Sequence, residues 1–121
     1  MNRTRMLAAA GVAALATGVV ASSAGAAASA GTLVASVSDP LNISLKQGAK
    51  KVTTLKAGTY TITVKDTAAD HNFHLIGPGV NKTTSVSAKG TSTWKVTFKK
   101  GTYKFVCDPH ASFMKGSFKV T

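Results

Sequence analysis

The chain has 121 residues, a formal net charge of +11 and a single cysteine, and its four acidic residues are all aspartates. That length holds one domain, or one domain behind a targeting segment. A lone cysteine excludes an intramolecular disulfide, a two-cysteine haem attachment and an all-cysteine zinc site within one chain, and a hydrophobic content of 44% argues against disorder throughout.

Residues 1–30 read as a secretory signal peptide. Arg3 and Arg5 supply a positive start, Leu7 to Ala21 is an uncharged stretch rich in alanine, valine and glycine, and Ala26-Ala27-Ala28 and Ala28-Ser29-Ala30 both fit a small-x-small cleavage site. A membrane span needs about 20 strongly apolar residues, and this run is shorter and weaker. Export to the cell envelope, periplasm or exterior is therefore expected, with one domain over residues 31–121. That domain keeps thirteen lysines, four aspartates and no arginine, a formal charge of +9. Its size is near the lower end of what one core holds together unaided, and a bound metal is one candidate for an additional tie.

The domain reads as strands. It contains fourteen threonines and nine valines, residues suited to a pleated, half-buried surface. Strands are expected at about 32–38, 42–46, 51–55, 59–65, 71–76, 83–87, 92–98, 102–107 and 116–120. Some of these should merge into a total of seven or eight. Alternation is explicit in Tyr60, Ile62 and Val64, in Trp94, Val96 and Phe98, and in Tyr103, Phe105 and Cys107. A period of two means one buried and one wet face. Asp39-Pro40, Gly77-Pro78-Gly79, Lys89-Gly90 and Asp108-Pro109 mark turns. A Gly-Thr-Tyr element occurs twice, at Gly58 and at Gly101, each time opening a strand, which suggests two equivalent corners. Short strands at this spacing predict an all-β, antiparallel sandwich or barrel.

The lysines are dispersed. Lys65, Lys95 and Lys104 fall on the outward parity of their strands and the rest in turns and strand ends. A solvated surface explains most of this charge; the remaining reading is attraction to an acidic partner. Nucleic acid is not the expected partner, because the domain has no arginine to fork onto phosphate or guanine.

The chemistry gathers at two places. Cys107-Asp108-Pro109-His110 follows a strand, with Met114 four residues later, and Asp70-His71-Asn72-Phe73-His74 lies upstream. Singly, a buried cysteine is often a small hydrophobe and a methionine is often core. Together, thiolate, imidazole and thioether form a copper set rather than a zinc one. Structural zinc takes Cys and His, whereas two His, one Cys and a weak axial Met define the blue-copper electron-transfer site.

These residues resemble the small blue-copper, or cupredoxin, family, which includes plastocyanin, azurin and amicyanin. The resemblance covers essentially all of residues 31–121. It rests on His71-Asn72, on Cys107-Asp108-Pro109-His110, and on Met114 before Lys115-Gly116. It implies a Greek-key β-sandwich, one type 1 copper ion, and the ligands His71, Cys107, His110 and Met114. It further implies that Asn72 braces the cysteine loop. The three residues between His110 and Met114 differ slightly from amicyanin's spacing. His74 competes with His71, but His71 shares strand parity with Phe73 and Leu75, so His71 should point inward and His74 outward.

The expected function is a secreted, monomeric one-electron carrier that docks redox partners, acidic proteins among the candidates, and is not itself an enzyme. Ala111, Phe113, Pro78 and Val80 are the expected apolar docking patch around His110, with lysines at its rim. The alternative is copper delivery without electron transfer, against which the absence of Met-rich or His-rich tracts counts. A Cys107–His110 nucleophile pair is a third reading, with no evident third residue to orient it.

Overall fold

The computed structural model describes residues 30–121. Residues 1–29 of the expected signal segment lie outside the described residues. Among the described residues ten strands form: β1 (Gly31–Ser38), β2 (Asn42–Gln47), β3 (Lys50–Lys51), β4 (Thr54–Leu55), β5 (Gly58–Asp66), β6 (His74–Gly77), β7 (Val80–Thr83), β8 (Gly90–Phe98), β9 (Gly101–Val106) and β10 (Lys115–Val120). They make two five-stranded sheets, ordered β3-β2-β1-β5-β8 and β4-β10-β9-β6-β7.

The alternating pattern builds the core between the sheets. Leu33, Ala35 and Val37 of β1, Tyr60, Ile62 and Val64 of β5, and Val96 and Phe98 of β8 are buried from one sheet. Leu75, Tyr103, Phe105, Phe118 and Val120 are buried from the other. Phe73 stacks on Phe105 at 5.5 Å between ring centroids, and Tyr103 stacks on Phe118 at the same separation, with Phe98 edge-on to both of the latter rings. Each such ring contributes about 1.5–3 kcal/mol of burial.

The expected antiparallel architecture needs one correction. β1 pairs with β5 in parallel, and β10 with β4 in parallel, so both sheets are mixed. The cause is residues 51–55, read from sequence as one strand. They change sheets: Val52 N–H donates to Leu45 O at 3.0 Å, while Lys119 N–H donates to Thr53 O at 3.0 Å. The chain therefore crosses between sheets and enters β5 running in the direction of β1. This crossing also splits the segment in two and raises the strand count above the seven or eight expected. The expected strand at 83–87 is displaced to β7, which pairs with β6 from Gly77↔Val80 to His74↔Thr83.

The two Gly-Thr-Tyr elements are equivalent corners. Tyr60 Oη donates to Lys56 O at 2.8 Å and Tyr103 Oη to Lys99 O at 3.1 Å, each four residues back. Gly58 and Gly101 have φ of 153° and 150°, backbone conformations that side chains disfavour. Tyr103 Oη also reaches Pro78 O at 3.0 Å, tying the β6–β7 turn to the start of β9.

Candidate metal centre

The strand-end loops at one end of the sandwich converge. β9 delivers Cys107, a 3-10 turn spans Asp108–His110, and Met114 closes the loop immediately before β10. Cys107 N–H donates to Met114 O at 3.0 Å, His110 N–H to Cys107 O at 3.0 Å, and Met114 N–H to His110 O at 2.8 Å. Pro109 sits in the first turn, where no backbone N–H is required. Cys107 and Met114 are fully buried.

His71 arrives from the β5–β6 connection. Residues 71–73 are not strand as expected, yet the inferred inward direction of His71 holds: it is 1% exposed. Its Nδ1 lies 3.0 Å from His110 Nδ1 and 3.7 Å from Cys107 Sγ, and His110 Nδ1 lies 3.6 Å from the same sulfur. The circle through these three atoms has a radius of about 2.0 Å, the length of a metal–imidazole bond. Two imidazole nitrogens and a sulfur facing one another at this range suit a shared cation, and copper accepts all three donor types.

Asn72 holds the triangle from behind. Its backbone N–H donates to Cys107 Sγ at 3.4 Å, its Nδ2 donates to Asp108 Oδ2 at 2.7 Å and Thr83 Oγ1 at 2.9 Å, and its Oδ1 accepts Asp108 N–H at 2.7 Å. Strand parity would have turned this side chain outward, but it is buried. The loop conformation, rather than a pleat, sets its direction. Thr84 continues the tie: its Oγ1 accepts Phe73 N–H at 2.9 Å and donates to the buried Asp66 at 3.4 Å.

His74 points away from the donors, as expected, but is only partly exposed and is bonded at both ring nitrogens. Its Nδ1 lies 2.9 Å from Asp108 Oδ1, and its Nε2 lies 2.6 Å from Asn81 Oδ1. Partial burial alone would lower its pKa, but the hydrogen bonds to Asp108 and Asn81 and the Asp108 charge together raise it above the usual imidazole value. In return, the hydrogen bonds from His74 and Asn72 hold the Asp108 carboxyl below its usual range. A raised histidine pKa stabilises the fold fully below the unfolded value of about 6.5, and a lowered aspartate pKa does so above about 3.9. The His74–Asp108 contribution is therefore greatest between these values and declines as pH rises through the folded His74 pKa. Urea midpoints of the metal-free protein should fall from pH 6 to pH 8, and His74→Gln should flatten that fall. An unchanged slope in the variant would contradict the assignment.

Three further oxygens surround the outer nitrogen of His71. Pro40 O lies 3.1 Å from Nε2, Asp39 Oδ1 3.2 Å and Asp70 Oδ1 3.7 Å. Sequence reasoning marked Asp39-Pro40 only as a turn; no local pattern shows which distant ring its oxygens meet.

The expected apolar patch is partly corrected. Phe113 is 76% exposed and Ala111 is exposed, next to His110. Val80 is buried, and Pro78 packs at the Gly101 end of β9, a strand's length from Cys107. The antiparallel β6–β9 register, with His74 opposite Val106 and Ile76 opposite Lys104, forces that separation. Leu41, 44% exposed, instead follows Pro40 beside His71.

The plastocyanin/azurin family of copper-binding proteins matches residues 39–121. No curated protein sequence matches the chain. Among solved structures, reduced rusticyanin aligns at TM-score 0.54 with 22% identity, covering 74% of this chain and 78% of its own. A mutant rusticyanin aligns at TM-score 0.56 with 23% identity, covering 74% and 76%. Rusticyanin from Thiobacillus ferrooxidans aligns at TM-score 0.52 with 23% identity over the same shares. At these identities the structural likeness speaks for the fold, whereas the family match spans most of the chain and includes every residue of the donor triangle. The chain belongs to the plastocyanin/azurin family of copper-binding proteins, a cupredoxin whose cofactor is one copper ion.

Proposed function

We propose that this chain is an exported one-electron carrier in which His71, Cys107, His110 and Met114 would hold a copper ion. The observation that carries the reading is the triangle of His71 Nδ1, His110 Nδ1 and Cys107 Sγ, closed at 3.0–3.7 Å within a fully hydrogen-bonded frame. Bound copper supplies the one-electron couple, Cu(II) to Cu(I). The protein supplies a fixed geometry. Asn72 N–H donates to the sulfur and so stabilises thiolate charge, while the Asn72–Asp108 bonds prevent the cysteine loop from relaxing. Burial of His71, Cys107 and Met114 excludes water from three donors, and half-buried His110 is the one nearest solvent. That burial favours a carrier over a delivery protein, which must release its metal. The signal-like residues 1–30 support export.

A redox partner docking at His110 meets Phe113 and Ala111. The loops 39–41, 67–73 and 107–114 contain Asp39, Asp70 and Asp108 and no lysine. The lysines of the domain therefore offer an acidic partner its contacts on the flanks rather than at this edge. Copper titration of the purified protein tests the function: one equivalent of Cu(II) should produce an intense thiolate-to-copper visible band and an electron-spin spectrum with narrow copper hyperfine splitting. A colourless protein that retains no copper would overturn the reading.

A further inference from the structure

The domain has only four aspartates against thirteen lysines, and two of the four stand behind one histidine. His71 is 1% exposed, so its ring cannot rotate freely or exchange its outer partner for bulk water. Nδ1 faces Cys107 Sγ and His110 Nδ1. If that nitrogen is a lone-pair donor, the proton of the neutral ring resides on Nε2. There Nε2–H donates to Pro40 O at 3.1 Å, and the exposed carboxylates of Asp39 and Asp70 stand beside it at 3.2 and 3.7 Å as neighbouring charges. The Asp39 backbone is held by Asn42 Nδ2, which donates to its carbonyl at 2.8 Å, while the carboxylate itself is exposed.

We infer that Asp39, assisted by Asp70, is a positioning residue that sets the reduction potential through His71; the inference rests on the copper reading above. The Nε2–H bond to Pro40 O fixes the tautomer, and carboxylate charge beside that N–H raises the basicity of the donor nitrogen. The carboxylate charge also lies on the far side of the ring from the metal position. Both effects favour Cu(II), the more highly charged state, over Cu(I). Both act by charge, Asp39 the more strongly because it lies nearer the ring. The overall lysine excess pulls the other way, but its side chains are distributed over the strands, whereas these two carboxylates address one ligand ring directly.

The test compares Asp39→Asn, Asp70→Asn and Ala57→Lys with the wild type. Ala57→Lys makes the same unit change in net charge in the exposed turn before β5, at the end of the sandwich away from the donors. Replacing an outer partner of a metal-bound histidine costs about tenfold or more in metal affinity. A tenfold loss confined to Cu(II) raises a one-electron potential by about 59 mV. Asp39→Asn should show a rise of up to that size, reduced but not abolished as salt screens the exposed carboxylate. Asp70→Asn should show a smaller rise that shrinks as salt screens the exposed charge. Ala57→Lys should show neither. An Asp39→Asn potential equal to that of Ala57→Lys would overturn the inference while leaving the blue site intact.

A second measurement needs no copper. Nitrogen-15 spectra of the metal-free protein should show His71 as the Nε2–H tautomer, with its ring proton moving upfield in Asp39→Asn as the neighbouring negative charge is removed. A ring carrying its proton on Nδ1 would overturn the inference, whereas a wild type with the Nε2–H tautomer that binds no copper would sink only the functional reading.

Discussion

Cys107→Ser should bind Cu(II) without the intense visible band of the wild type, and with an affinity lower by orders of magnitude. The sulfur is one vertex of the three-donor triangle and supplies its only soft, anionic atom. A serine hydroxyl at the same place is harder, is not ionised at neutral pH, and has no thiolate orbital from which charge transfer can arise. Folding should largely survive. The new hydroxyl is buried, but Asn72 N–H already points at this position from 3.4 Å and can satisfy it, which limits the cost to about 1–3 kcal/mol. Two histidine variants complete the experiment. His71→Ala should lose the band as well, because it removes a buried vertex of the triangle. His74→Ala should keep it, because His74 contacts Asp108 and Asn81 rather than the converging donors. Absorption and electron-spin spectra of the copper-loaded proteins give the answer; a blue His71→Ala would reverse the assignment of the upstream ligand.

The largest stability loss from a single polar side chain should come from Asn72→Ala. Asn72 is 2% exposed and its amide makes three hydrogen bonds, two of them to Asp108 and one to Thr83. One of these goes to a carboxylate, the stronger class, and truncation also removes the partner of the Asp108 N–H. We expect about 3 kcal/mol of destabilisation, taking about 1 kcal/mol for each neutral bond and more for the charged one. Urea unfolding of the metal-free protein measures it. Asn81→Ala is the comparison: its side chain is exposed and meets only His74, so its loss should be under about 1 kcal/mol. Equal shifts in the two variants would show that the Asn72 network is not what secures the loop.

What was legible in the sequence depended on the range of the interaction. Period-two alternation located β5, β8 and β9, because burial of one face is a local pattern. The Gly-Thr-Tyr corners were legible for the same reason: each tyrosine reaches a carbonyl only four residues back. The parallel β1–β5 pair was not, since residues 51–55 look like a continuous strand and their change of sheet depends on Leu45 and Lys119, both distant along the chain. At the centre, residue types and spacing pointed to Cys107, His110 and Met114, and parity to His71. The structure brings Cys107, His110 and His71 into one triangle. The acid groups around them were invisible. Asp39 lies 32 residues from His71, and Asp108 is sequence-adjacent to the cysteine yet spends its carboxylate on Asn72 and His74. Parity failed at Asn72 because residues 71–73 leave the sheet, and there a loop's hydrogen bonds decide direction.

The donor triangle draws on positions 71, 107 and 110, and its bracing draws on 39 and 83 as well. Such distant segments meet only after both sheets have closed, and chains dominated by contacts of this range fold on millisecond to second timescales. No early hairpin contains the complete constellation. The nascent chain consequently presents its thiol to stray metals and oxidants without the selectivity of the finished site, so an exported form of this protein reaches copper safely only if folding outruns that chemistry.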